Sequence, residues 1–430
     1  MRPHLIIQIA DGVMPFELPH WSSIIENKSG AATAAHPLLD RVFAQYRLPV
    51  WITREYQPHA GAWSNEEIQS RLNRYYRIIL QEDAEIPAGL IRDISLLPII
   101  RHVRMGAVGH TDLPELQPAP MSLATGISSR RAIYLEEAQA YTRGDESVVV
   151  AVLDTGISQS HPELRGALLP GYDFVDIIDG AGKFIGDFLS YDENPDDEVG
   201  HGTHVAGIIA GRGKAMPAGV VPKCKILPVR VLGAMQRGEK RVGAGLIDNI
   251  NVAVKWAVDQ GAGIINMSLG IRHTGGGLPH EEVVDYAKRK GVTIVAASGN
   301  DGTEDLYYPG ALPHVIAVGA FDVSGEVAGF STYGKQVSFV APGTDIYSSY
   351  LDHAYAFSSG TSHATPFVTG AVAMLKSYAR KKGARLSDAK VKHILKHTAD
   401  KVDAGFKNRR AGFGRINLLD AVRWLEDKLN

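Results

Sequence analysis

Three segments of this sequence carry residues that could together make a hydroxyl into a nucleophile. Asp154 ends the apolar run Val150-Ala151-Val152-Leu153 and is followed by Thr155-Gly156, so its carboxylate falls at a strand end, partly shielded and able to accept a hydrogen bond from an imidazole. His201 opens the small-residue helix His201-Gly202-Thr203-His204-Val205-Ala206-Gly207. Ser362 lies in the turn Ser358-Ser359-Gly360-Thr361-Ser362-His363-Ala364, which leads through Thr365-Pro366 into a helix expected over Ala371–Tyr378. A serine at a helix start gains from the oriented N–H groups there, which can stabilise an oxyanion beside the hydroxyl. That hydroxyl is a poor nucleophile until a base takes its proton, and the base needs an orienting acid. Alone, each segment has an ordinary reading: a capped turn, a packed histidine, a capped helix. Together they supply acid, base and nucleophile. His201 and His204 as a metal pair lack the Glu and the spacing of a His-Glu-x-x-His site, so His204 reads as a packed histidine.

These residues need a scaffold that brings distant segments to one edge. Apolar, β-branched runs at Ser147–Leu153, Lys225–Val231, Gly263–Met267, Val292–Ala297 and Val315–Val318 alternate with helical stretches such as Ile247–Asp259 and Glu281–Lys290. Continuous apolar strands separated by helices predict a mainly parallel sheet covered on both faces, with ligands at the carboxyl ends of its strands. Asp154 is at such an end. Residues 1–106 differ in composition. They have few glycines, strand-like runs at Leu5–Ile9, Pro49–Thr53, Tyr75–Leu80 and Ile99–Met105, and helix-like runs at Pro37–Tyr46 and Ile86–Leu97. From 107 to 129, Pro114, Pro118 and Pro120 among Gly, Ser and Thr predict a linker. The expected division is therefore 1–106, 107–129 and 130–430.

Bulk properties narrow the function. With 45 Lys+Arg against 47 Asp+Glu the formal net charge is −2, which gives no global attraction to nucleic acid or anionic membrane. No apolar run reaches the roughly 18 residues of a membrane span. The apolar run Leu5–Ala10 is broken by Gln8 and ended by Asp11, so it does not read as a secretory signal, and a cytoplasmic location is expected. A single cysteine, Cys224, excludes an internal disulfide framework and is expected to be a buried strand residue.

At this point the chain resembles the subtilisin-like serine proteases, or subtilases, over about residues 130–430. The resemblance rests on the three segments above, which occur in the family's order Asp, His, Ser. It also rests on Ile264-Ile265-Asn266-Met267-Ser268-Leu269-Gly270, Val295-Ala296-Ala297-Ser298-Gly299-Asn300, Tyr308-Pro309-Gly310, Val315–Ala320, Val340-Ala341-Pro342-Gly343 and Gly412-Phe413-Gly414-Arg415-Ile416-Asn417. It implies an α/β, subtilisin-like three-layer fold preceded by a small α+β region resembling a pro-domain. The activity it implies is that of a serine endopeptidase needing no cofactor for its chemistry. By the resemblance, Ser362 attacks the scissile carbonyl, His201 carries the proton, Asp154 orients the imidazole, and Asn300 with the Ser362 N–H binds the oxyanion. One departure is His363 after the nucleophile, where many relatives carry Met; it is expected to pack rather than titrate.

The resemblance also implies how substrate binds. Peptide would add as a strand at Ser268, Leu269 and Gly270, faced by the stretch around Leu232–Gly245, and Ala296, Ala297, Ser298 and Gly299 would line the specificity pocket. Tyr307 or Tyr308 is expected to reach the pocket floor, and if Tyr307 does, the pocket is shallow. The acidic run Tyr191–Glu198 ahead of His201 suggests a structural calcium held by Asp192, Asp196 and Asp197, against the alternative of a solvated turn. The charged stretch Gln236–Arg241 reads as a solvated loop. Residues 1–106 are expected to act as an intramolecular inhibitor of a zymogen, with self-cleavage in 107–129. Two other functions share the scaffold: a non-catalytic binding protein, which the complete triad and Asn300 oppose, and a peptide cyclase or ligase, for which no lid-like insertion is seen.

Overall fold

A computed structural model of the chain describes residues 3–25, 27–175, 194–237, 240–272 and 278–429. Its larger body is built on a seven-stranded sheet. The strand order is Val337–Pro342, Ile316–Phe321, Thr293–Ala297, Ile264–Met267, Val149–Asp154, Lys225–Arg230 and Tyr172–Asp173, and every pairing is parallel. Side chains alternate across a strand, so each strand feeds two cores. Val150 and Val152 meet the helices His201–Ala210 and Thr361–Lys381 on one face. Ala151 and Leu153 meet Ile247–Asp259 and Glu281–Arg289 on the other. This is the three-layer α/β fold expected, and Cys224 is buried immediately before the strand Lys225–Arg230.

The helix that carries Ser362 is longer than the sequence pattern suggested. It runs 21 residues from Thr361 to Lys381 and includes Pro366. Pro366 cannot donate to the Ser362 carbonyl four residues earlier, and that carbonyl is served instead from outside the helix by Ser268 Oγ.

Residues 4–105 form a second body. Four antiparallel strands lie in the order Val50–Arg54, Tyr75–Leu80, His4–Ile9, Ile100–Met105. The helices Pro37–Tyr46 and Ala88–Ser95 pack on one face, where Leu5, Ile7, Leu39, Phe43, Ile78 and Leu90 meet. The second helix starts later than predicted because Pro87 stands at its N-cap, where a missing N–H costs nothing. His4–Ile9 is buried at all six positions, so its other face is covered as well.

What covers that face is the larger body, through a buried polar seam. Arg77 is fully buried and makes a bidentate pair with Glu55 at 2.6 Å, while its Nη1 donates to Asn249 Oδ1 at 3.2 Å. Asp248, on the same helix as Asn249, accepts from His4 Nε2 at 2.9 Å and pairs with Arg104. Burial penalises the Asp248 charge, but Arg104, His4 and Arg77 outweigh it and hold the carboxyl well below its ordinary range. Tyr56 donates to Glu282 at 2.9 Å and Lys255 pairs with Glu67 at 2.8 Å.

The segment 107–129 is not a free linker. Val108–Asp112 adds as an antiparallel strand to Lys240–Leu246, and Gln117–Ala119 pairs with Tyr355–Ser358. A helix begins at Ile127. The prolines mislead here because Pro118 sits on an edge strand, where no ladder N–H is needed from it. The strands Gly233–Arg237 and Lys240–Leu246 pair antiparallel, and the centre of the charged stretch, residues 238–239, lies outside the described residues.

The seam makes a stability prediction. Asp248→Ala leaves Arg104 and His4 without their buried partner, a loss of about 3–5 kcal/mol for a pair broken in this way. Thermal unfolding of the full-length variant should show a clearly lowered Tm, and an unchanged Tm would refute a stabilising role for the seam.

Candidate active site

The strand Val149–Asp154 delivers Asp154 to the sheet's carboxyl edge, and Asp154 and His201 are both fully buried. His201 Nδ1–H donates to Asp154 Oδ1 at 2.7 Å, and the Thr155 backbone N–H donates to the same oxygen at 2.8 Å. An acceptor at Nδ1 sets the tautomer that leaves the Nε2 lone pair for a proton. His201 Nε2 and Asp154 Oδ2 are buried without hydrogen-bond partners. Each such orphan costs about 1–3 kcal/mol, and their concentration here marks the site. Burial alone would depress the His201 pKa. The charge and hydrogen bond of Asp154, followed by the charge of Asp197, outweigh it and raise the imidazole above its ordinary value.

Asp197 explains how His201 is held. Its Oδ1 accepts from Thr155 Oγ1, Val199 N and Gly200 N, each at 2.9 Å. Its Oδ2 accepts from Thr203 N at 2.9 Å and Thr203 Oγ1 at 2.7 Å. One carboxylate thus ties the residue after Asp154 to the first turn of the His201 helix. Gly202 lets that helix approach, since a Cβ there would lie 2.0 Å from the Gly156 carbonyl oxygen. This departs from the calcium expectation. Asp197 spends its oxygens on five protein donors, Asp196 Oδ1 accepts from Gln159 N, and Asp192 lies outside the described residues. Among the described residues no three His, Cys, Asp or Glu side chains cluster as metal ligands, so those present do not fit the ion.

Ser362 is 2% exposed, in the first turn of the helix Thr361–Lys381. Its carbonyl would normally accept from residue 366, but Pro366 has no N–H to give. Ser268 Oγ donates to the Ser362 carbonyl instead, at 2.7 Å. Ser268 is held in turn by Asn266 Nδ2 at 3.0 Å, and Asn266 Oδ1 accepts from Thr369 Oγ1 at 2.7 Å. The strand Ile264–Met267 and the helix Thr361–Lys381 are thereby clamped together. Asn300 Oδ1 accepts from Thr361 N at 2.8 Å and Thr361 Oγ1 at 2.9 Å, which assigns its amide orientation and turns Nδ2 away from that contact. Asn300, Thr361 and Ser362 line a cleft of about 470 Å³ with Gly270, Ala297 and Gly299. The strand carrying Val108–Thr111 lies along the same cleft.

The expected site residues are therefore distributed unevenly. Gly270, Ala297 and Gly299 face the cleft. Ser268, Leu269, Ala296 and Ser298 are buried, with Ala296 turned into the opposite core by strand alternation and Ser298 Oγ donating to the Thr332 carbonyl. The strand added in the cleft pairs with Lys240–Leu246. The positioning roles of Asp197, Asn266, Thr361 and Thr369 escaped sequence reasoning, and only Pro366, four residues after Ser362, could have signalled that the serine carbonyl needs an outside donor. His204 donates Nε2–H to the Ile346 and Ala356 carbonyls and is no metal ligand, and burial holds its pKa down at about 3. His363 packs between His201 and His204 with ring centroids 5.2 and 4.5 Å apart. Burial, then the neighbouring imidazoles of His204 and His201, keep it far below the neutral range.

A carboxylate bonded to an imidazole at the sheet's carboxyl edge and a serine at a helix start are the kinds of group that a serine hydrolase uses. Comparison with known proteins narrows this. The profile of the subtilase family matches residues 145–414. A thermophilic serine proteinase of Bacillus sp. strain AK1 is 38% identical over 297 residues, covering 68% of this chain and 65% of its own. Thermitase of Thermoactinomyces vulgaris is 36% identical over 277 residues, covering 64% and 88%. The structure of the prenylagaramide maturation protease PagA aligns over 68% of this chain and 98% of its own, with a TM-score of 0.56 and 32% identity. The chain belongs to the subtilase family of serine-type endopeptidases.

Three buried imidazoles in one cluster should behave differently in solution. In an NMR pH titration of the Ser362→Ala protein, the His201 ring should titrate above about 6.5, the unperturbed histidine value. His204 and His363 should stay neutral across the neutral range. A His201 midpoint below that of free histidine would contradict the dominance of Asp154.

Proposed function

We propose that this chain hydrolyses peptide bonds through an acyl-enzyme formed on Ser362, and that it is made as a zymogen inhibited by its own N-terminal region. The observation that carries the first part is the 2.7 Å bond from His201 Nδ1 to Asp154, which points the imidazole's basic nitrogen away from the acid. In the proposed sequence, His201 Nε2 removes the Ser362 hydroxyl proton as Oγ attacks the scissile carbonyl carbon. The carbonyl electrons move onto oxygen, where Asn300 Nδ2 and the Ser362 backbone N–H meet them. The tetrahedral species collapses, the C–N bond breaks, and His201 hands its proton to the leaving amine. Water, deprotonated by the same nitrogen, then attacks the acyl carbon and releases Ser362. Because neutral His201 is the base, activity falls as pH drops through its raised pKa.

The inhibitory reading is supported by the strand Val108–Asp112, which runs antiparallel to Lys240–Leu246 along the cleft as an added peptide would. The chain then passes close to the nucleophile: a Cβ on Gly360 would meet Pro114 Cγ at 2.8 Å. Self-processing is thus proposed within 107–129, close to that crossing, with residues 1–106 remaining docked through the polar seam until released.

Intact-mass measurement of the purified full-length chain tests both parts. Wild type should shorten by cleavage within 107–129 while Ser362→Ala stays whole; equal shortening of both, or no shortening of either, would count against self-processing. For the oxyanion role, Asn300→Ala should lower kcat on casein by about 10²–10³ with little change in KM, the size known for subtilisin. Unaltered kcat would remove Asn300 from the mechanism.

A further inference from the structure

The cleft beside Ser362 is bounded by two backbone walls, one at Gly270 and one at Gly299, and Tyr307 stands between them. Its ring spans the gap edge to edge. A Cβ built on Gly270 would lie 3.1 Å from Tyr307 Cδ1, and one built on Gly299 would lie 2.6 Å from Cδ2 and 2.7 Å from Cε2. Both walls are therefore glycine where the ring touches them, and the ring leaves no lateral room for a second side chain.

The ring is also held at both ends. Tyr307 is paired in backbone register with Arg272 in a short antiparallel ladder, which places its Cα. At the far end its hydroxyl donates to the Asp301 carboxylate, on the residue that follows Asn300. A hydrogen bond to a charged acceptor is among the stronger kinds, so swinging the ring out is costly.

We infer that Tyr307 fills the pocket that receives the side chain on the acyl side of the scissile bond, so that this endopeptidase cleaves after glycine, alanine or serine and rejects aromatic and large aliphatic residues there. The inference rests on the endopeptidase reading above and adds its substrate class. A methyl or hydroxymethyl group can rest over the ring, whereas a benzyl or isobutyl group needs the space the ring occupies. Discrimination is then steric, set by one side chain that the wall glycines accommodate.

The test is a set of chromogenic peptides identical except for Gly, Ala, Ser, Leu or Phe before the cleaved bond, assayed with the full-length protein and its variants after limited proteolysis within 107–129 has released the N-terminal region. Wild type should favour Ala over Phe by about 10²-fold in kcat/KM, the scale a well-packed pocket achieves. In Tyr307→Gly the Phe-to-Ala ratio should rise by at least about tenfold, because the space between the walls opens. Tyr307→Phe keeps the ring but loses its tether to Asp301, and its ratio should fall between those of wild type and Tyr307→Gly; it serves as the informative variant if Tyr307→Gly does not fold. Wild-type preference for Phe or Leu, or a ratio unmoved in both variants, would overturn the inference while leaving the endopeptidase reading intact. Failure to cleave any peptide would overturn that reading and the inference with it.

Discussion

The buried hydrogen bond from His201 to Asp154 is the contact on which the rest of the site depends. Residues 47 apart in the chain must meet with two polar groups out of water, and burying a carboxylate is unfavourable unless it is well partnered. The structure meets that condition from several directions. The Thr155 N–H shares the Asp154 oxygen, and Asp197 binds the adjoining turn to the helix that carries His201. Gly202 removes the bulk that would keep helix and strand apart. On the imidazole, what is left unpaired is Nε2, the atom through which the proposed proton transfer runs.

Ser362 is placed in an equivalent way. Pro366 withholds one hydrogen bond from its own helix, and Ser268 supplies it from the neighbouring strand. A local defect in the helix thereby becomes a fixed distance between sheet and serine. Asn300 is oriented through Thr361, the residue before Ser362, so the proposed nucleophile and oxyanion donor share one support. The N-terminal body reaches the same region from outside. Its sheet docks on the helix Ile247–Asp259 through Asp248, Asn249 and Lys255, while the strand Val108–Asp112 continues into the cleft. Docking and cleft occupation are thus two consequences of one uninterrupted chain.

Much of this was legible in the sequence, and the reasons are physical. Continuous β-branched runs announce buried parallel strands, and glycine turns after them announce the catalytic edge, so the sheet and the position of Asp154 followed from pattern alone. The dimensions of the Ser362 helix did not, because Pro366 reads as a stop and its compensation by Ser268 lies 94 residues away. The strand Val108–Asp112 was hidden for a related reason: its pairing partner lies over a hundred residues on, and its own residues carry little β propensity. Asp197 looked like one of several acidic residues in a solvated or calcium-binding run, since nothing local tells a carboxylate saturated by N–H and O–H groups from one awaiting a cation. Tyr307 was visible as a candidate pocket floor, but only the ring's contacts at Gly270 and Gly299 show that it spans the gap.

The central claim is that Asp154 and His201 act together to activate Ser362. It is tested most directly by reacting the protein with a fluorophosphonate and locating the adduct by peptide mass spectrometry, in wild type and in Asp154→Asn. The account predicts a single adduct on Ser362 in wild type. In Asp154→Asn the site should be labelled slower by about 10⁴, the loss seen when a serine protease loses this acid. Labelling of Ser362 at the same rate in both proteins, or labelling of wild type at another residue, would contradict it.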